Sequence, residues 1–213
     1  YLILAACSFP LVLSVHSTIA MDFATSQVPG WNNTIMPPYF VAGAVFAGFA
    51  MVLILIIPLR KSFGLEKIVT MRHLDNSAKL MLATGMVVVY GYFVEVFMAW
   101  YSGVEFERYM IFNRMFGEQD AWAFWALIFC NGIAIQPLWS KRVRQNTTWL
   151  FIISIIVSIG MWLERYVIVV VTLKRDFLPS SWGGFNPTFW DFSLYFGSIG
   201  LFFTLWFLFV RLL

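Results

Sequence analysis

Six runs of about twenty mostly apolar residues decide what this chain can fold into. They cover roughly residues 1–23, 38–59, 79–101, 120–139, 148–172 and 189–213. A helix of about twenty residues spans the hydrocarbon core of a bilayer, and a backbone in lipid must satisfy its own hydrogen bonds, which favours helices. The expected fold is therefore all-α: a polytopic membrane protein with six transmembrane helices. Composition agrees, with 61% hydrophobic and 12% charged residues, where soluble domains carry about 25% charged. The 23 Phe and 10 Trp fit lipid-facing and interfacial surface. A net charge of +3 belongs with cytoplasmic loops here, and no nucleic-acid partner is expected.

The connections sort by charge. Residues 25–37 form a linker rich in Gly, Pro and Asn, and Pro38 suits the first turn of the second helix. Gly43, Ala44, Ala47, Gly48 and Ala50 make a small-residue stripe suited to close helix packing. Residues 60–78 form a charged loop, while 103–119 are too charged to span and read as an interfacial or loop helix. One set of loops and ends carries Arg60, Lys61, Lys67, Arg72, Lys79, Lys141, Arg142, Arg144 and Arg211. The opposite set carries only Arg108, Arg114, Lys174 and Arg175. The positive-inside rule then places loops 25–37, 103–119 and 173–190 outside. The chain opens at Tyr1 within an apolar run, without an initiator Met or a signal-peptide n-region. It is expected to be part of a longer protein, with residues 1–213 a single integral membrane domain.

Charges inside these spans mark candidate functional positions, since each costs about 2.5–3.5 kcal/mol on insertion scales. Glu164 and Arg165 stand side by side in the fifth run, within Trp162-Leu163-Glu164-Arg165-Tyr166. At 1.5 Å per residue, Glu95 and Glu164 each lie about 24 Å above the inner end of their helix. His16 and Asp22 occupy the outer half of the first helix, so the titratable set gathers toward the outer leaflet. The inner leaflet offers Asn131, Gln136, Thr84 and Ser154. Each candidate also has a structural reading. Neighbours on a helix point about 100° apart, so Glu164 and Arg165 are expected to meet partners on two other helices, or to form a plain structural pair. Glu95, with Gly91 and Ala99 clearing its face, is either a relay or a buried protonated acid. His16 is either a proton acceptor titrating near neutrality or a histidine bonded to a backbone carbonyl. Asp22, about 120° around the helix from His16, either serves a site or meets headgroups.

Other chemistry finds no support. Cys7 and Cys130 lack any CxxC or CxxCH spacing, and His73 lies in a charged loop away from the depth of His16. No haem, iron–sulfur cluster or metal site is therefore expected in this chain, and no Gly-rich phosphate loop or hydrolase triad is present. Pro10 kinks the first helix. Trp31, Trp100, Tyr101, Trp182 and Trp190 near one boundary, and Trp139 and Trp149 near the other, are belt residues. The uncharged outer stretch 177–183 suits contact with another subunit.

Several runs together carry a resemblance: residues 14–24 (SVHSTIAMDFA), Val28-Pro29-Gly30-Trp31, Pro37-Pro38-Tyr39-Phe40, Gly91-Tyr92-Phe93-Val94-Glu95, residues 160–166 (GMWLERY) and residues 175–182 (RDFLPSSW). In these the chain resembles the NrfD/polysulfide-reductase-type membrane subunits, and most of all the quinol-interacting membrane subunit of bacterial alternative complex III. The similarity covers essentially the whole sequence.

The resemblance implies a ten-helix subunit of two four-helix bundles and two flanking helices, of which these six would be the fifth to tenth. It implies a multi-pass protein of the bacterial cytoplasmic membrane with no redox cofactor of its own. Such a subunit binds menaquinol or another quinol near the periplasmic face, within a respiratory or photosynthetic quinol:acceptor oxidoreductase. Electrons pass to an extrinsic iron–sulfur subunit and on to c-type cytochrome subunits, beside a sister NrfD-like membrane subunit. His16 and Asp22 carry over as quinol-site candidates, and Glu95, Glu164 and Arg165 as proton-transfer candidates. Two other readings use the same residues differently. A secondary transporter would couple ions through them and predicts inverted repeats with broken helices, and a structural anchor for extrinsic redox subunits would tolerate their loss.

Overall fold

The computed structural model describes residues 2–117, 120–174 and 178–212. Among them, six helices are long and apolar enough to cross a membrane: Leu2–Ala24, Met36–Ser62, Met71–Tyr101, Ala121–Trp139, Thr147–Val171 and Phe189–Leu212. The protein is all-helical and of the polytopic membrane type. It divides into two units, residues 1–181 and 182–213. Of the run 175–182, Arg175, Asp176 and Phe177 lie outside the described residues, as do Tyr1 and Leu213 at the expected limits of the outermost helices.

The core of the first unit forms where α2 (Met36–Ser62), α3 (Met71–Tyr101) and α7 (Thr147–Arg165) pack together. Phe46, Ala50 and Leu53 of α2 are fully buried with Ala78, Met81 and Val88 of α3 and Leu150 and Val157 of α7. Pro37 and Pro38 sit in the first turn of α2, where N–H groups have no intrahelical partner. Arg60 and Lys61 close its last turn, complementing the carbonyl end of the helix dipole. Along the edge, α1 (Leu2–Ala24) lies against α2 and buries fully only Ala20, while Phe23 meets Phe40 and Trp31 at ring-centroid distances of 5.4 and 4.7 Å.

Helix α3 begins at Met71, eight residues before the Lys79 boundary that hydropathy implies. A reciprocal cap fixes this start: the Thr70 N–H donates to His73 Nδ1 at 3.1 Å, and the Thr70 side chain accepts from the His73 backbone. Asp75 in the extra turns then binds Lys79 (2.6 Å) and Arg144 (2.8 Å), and Arg144 also donates to the Leu138 and Trp139 carbonyls. Apolarity reports the bilayer, whereas the helix extends beyond it into water.

After Gly103, α4 (Glu105–Phe116) forms within the segment too charged to span. The fourth span is not one regular helix. It runs as α5 (Ala121–Ile128), a wide π turn at Phe129–Ile133 and a 3-10 turn at Gln136–Trp139, where Pro137 has no N–H to continue the ladder. A short α6 (Lys141–Arg144) precedes α7, which Asn146 caps by accepting from the Thr148 and Trp149 N–H groups. Gly160 lets α7 close on the π turn, since a Cβ there would lie 2.6 Å from Cys130 Cβ. Helix α7 itself widens into a π turn at Tyr166–Val171.

In the second unit, α8 (Phe189–Leu212) is started by Asp191, which accepts from the Thr188 N–H and hydroxyl at 2.7 and 2.6 Å. A carboxylate at this end complements the helix dipole, and Phe203 stacks on Phe207 one turn later.

Candidate functional site

The Glu164–Arg165 pair is the centre of a buried polar cluster. Glu164 is 1% exposed, and its Oε2 accepts a hydrogen bond from the Tyr92 hydroxyl of α3. Asn131, in the π turn of the fourth span, donates from Nδ2 to the Tyr92 oxygen at 2.8 Å. Two hydrogen bonds in series through the Tyr92 hydroxyl thus link the fourth span, α3 and α7. The two charged neighbours meet separate helices, Glu164 at Tyr92 of α3 and Arg165 at Phe40 of α2, and they also meet each other: Arg165 Nη2 lies 3.3 Å from Glu164 Oε1. Both long side chains bend toward α2, where Gly43 leaves room, with its Cβ position 3.7 Å from Arg165 Nη2 and 3.9 Å from Glu164 Oε1. The guanidinium also stands 4.1 Å from the Phe40 ring centre, a cation–π contact. Among the described residues, Glu164 Oε1, Asn131 Oδ1 and Arg165 Nη1 are buried without a hydrogen-bond partner.

Glu95, one turn from Tyr92 on α3, belongs to a second cluster toward the Trp31 end of the bundle. Arg114 of α4 is 1% exposed and binds Glu95 Oε1 through Nη1 at 2.5 Å and Thr172 Oγ1 through Nη2 at 2.6 Å. Gly30, at φ 82°, lies against this guanidinium: a Cβ there would sit 2.7 Å from Arg114 Nη2. The Gly30 N–H donates to both oxygens of Glu107 at 3.0 and 3.1 Å. Burial pushes the Glu107 carboxyl above its ordinary value, and this Gly30 N–H holds it partly down. The π turn of α7 completes the frame, because its Ile168 carbonyl accepts from Trp31 Nε1 at 2.7 Å and its Val167 carbonyl from Thr172 Oγ1 at 3.2 Å.

A cavity of about 360 Å³ opens at this end, lined by Glu95, Glu107, Asn32, Asn33, Ser102 and Phe106 among others. A much smaller void, about 10 Å³, is lined by Glu95, Asn33, Tyr39 and Gly91 among others. Tyr39 in turn stands edge-on to Tyr92, ring centres 5.8 Å apart. Glu95 therefore lies between the open cavity and the Glu164 cluster.

His16 and Asp22 stand apart from both clusters. The His16 ring is half-buried, and its Nδ1 lies 2.8 Å from the Val12 carbonyl. A carbonyl can only accept, so Nδ1 carries the proton and Nε2 of the neutral ring keeps a free lone pair. Asp22 is exposed. Neither residue lines the cavity at the Trp31 end.

Residues 2–174 match the family described as "Polysulphide reductase, NrfD". The chain belongs to the NrfD family. Its members are membrane subunits of quinone-interacting redox complexes, work with extrinsic iron–sulfur subunits and are not catalytic alone. No curated protein matches the sequence.

In this NrfD-family subunit, sequence reasoning located the carboxylates but missed three of their partners. Arg114 reads as an ordinary loop cation, since nothing local marks its segment as folded back on α3. Tyr92 has no mark of its own within an apolar span, and Asn131 reads as an inner-leaflet residue. The available signals were Gly103, whose positive φ turns the chain between α3 and α4, and the Gly160 that admits Asn131 to α7.

Proposed function

We propose that this NrfD-family subunit is the quinol-interacting membrane subunit of a bacterial alternative complex III, with the Trp31 end at the periplasmic face. Menaquinol, or a quinol like it, binds near that face beside α1. Its oxidation releases two electrons and two protons. The electrons leave to the extrinsic iron–sulfur subunit and then to c-type cytochromes, beside a sister NrfD-like membrane subunit.

The residues of this chain act as proton acceptors and as electrostatic support. His16 offers Nε2, because Nδ1 is held on the Val12 carbonyl, and Asp22 offers an exposed carboxylate on α1. Positioned acids and bases of this kind typically contribute 10²–10⁴-fold. Glu164, Tyr92 and Glu95 provide further protonatable oxygens deeper in the bundle, and Arg165 offsets the charge of Glu164. The observation carrying the proton-handling role is the placement of Glu95 between an open cavity and the buried Glu164 cluster.

The test is turnover in membranes with the assembled complex. His16→Ala and Asp22→Asn lower quinol:acceptor activity by about tenfold or more, while Arg165→Ala impairs assembly or proton movement. Wild-type behaviour in all three variants overturns the reading.

A further inference from the structure

Gly103 (φ 69°) reverses the chain after α3, and α4 returns alongside the last turns of that helix, bringing Arg114 to Glu95. Between the two arms of this hairpin lies a second cavity, about 230 Å³, whose exposed lining is wholly apolar. Trp100 and Arg108 stand toward its upper end, next to the turn, and Val96, Met115 and Phe116 toward its lower end. Arg108 to Met115 is seven residues, or about 10 Å along the helix. The volume falls below the 300 Å³ or more usual for a whole small-molecule ligand, and it fits a stretch of hydrocarbon chain.

Charge complementarity identifies the head of that ligand. Among the described residues, the exposed Arg108 guanidinium makes no ion pair or hydrogen bond with a carboxylate, unlike Arg114 six residues on. It stands at the Gly103 end of the groove beside Trp100, a residue type that gathers at headgroup level. A cation at one end of an apolar slot matches an anionic phospholipid, with phosphate at Arg108 and one acyl chain between α3 and α4. We propose that this groove is a binding site for an anionic phospholipid, bracing α4 against α3.

Native mass spectrometry of the complex purified in mild detergent, titrated with phosphatidylglycerol or phosphatidylcholine, tests this. The expected result is at least a fivefold preference for phosphatidylglycerol. Arg108→Gln abolishes the preference, Arg108→Lys retains most of it, and Val96→Phe, which fills the slot, lowers retention of phosphatidylglycerol without touching the cation. Equal retention of the two lipids, as when a partner helix covers the groove, overturns the proposal. So does an undiminished preference in both Arg108→Gln and Val96→Phe.

Discussion

Arg114 and Glu95, on two helices joined by a glycine turn, meet at 2.5 Å with the guanidinium 1% exposed and the carboxylate 20% exposed. The arginine's second amino group holds Thr172 at the end of α7, so one side chain ties α3, α4 and α7 together. Removing one member of a buried ion pair leaves the other charge without compensation and costs about 3–5 kcal/mol. Arg114→Gln is therefore expected to lower the thermal unfolding midpoint of the purified protein markedly. Arg114→Lys recovers only part, because an ammonium lacks the planar fork that reaches both oxygens. An unchanged midpoint in Arg114→Gln contradicts this account.

Tyr92 couples Asn131 to Glu164 through one hydroxyl. Tyr92→Phe keeps the ring and strips that oxygen, leaving the Asn131 amide and the carboxylate short of a partner, at about 1–3 kcal/mol. Combined with Glu164→Gln in a double-mutant cycle, the two losses should fail to add by about 0.5–3 kcal/mol, as contacting residues do. Additive losses in denaturation experiments would mean that the hydroxyl and carboxylate act independently.

Glycine replacements separate packing from propensity. Gly160→Ala drives a methyl into Cys130 and Asn131, an overpacking cost of about 1–3 kcal/mol. Gly48→Ala on α2 meets nothing within 4 Å and gains up to about 1 kcal/mol from helix propensity. Thermal shifts of opposite sign are expected, and two shifts of the same sign would refute the packing assignment.

The Glu107–Gly30 contact carries a pH dependence. Burial raises the folded carboxyl above its ordinary value of 4.5, so the folded state binds the proton more tightly than the unfolded state. Its contribution is fully present below that ordinary value and is lost as pH rises through the raised one. The thermal unfolding midpoint of the purified protein should fall across that window. In Glu107→Gln, which still accepts from Gly30 but does not ionise, that step should be absent. Parallel profiles for the two proteins would place the titration elsewhere.

The membrane class, the six spans and the buried Glu164 were legible in the sequence alone. Apolar run length and intramembrane charge are local quantities, tied directly to the thickness and dielectric of the bilayer. The start of the third helix was not: apolarity set it eight residues short, within a stretch that read as a charged loop. Which groups meet was decided only by tertiary structure, because partners depend on helix rotation, register and the space between helices. Glu164 and Arg165 diverge by about 100° on an ideal helix, yet they pair because Gly43 opens one gap that both can enter. Arg114 belongs to a segment too charged to span, yet its guanidinium becomes one of the most buried groups in the protein once α4 folds back along α3. No local pattern encodes that reversal beyond a single glycine, and the burial follows from the carboxylate and hydroxyl that two other helices happen to present there.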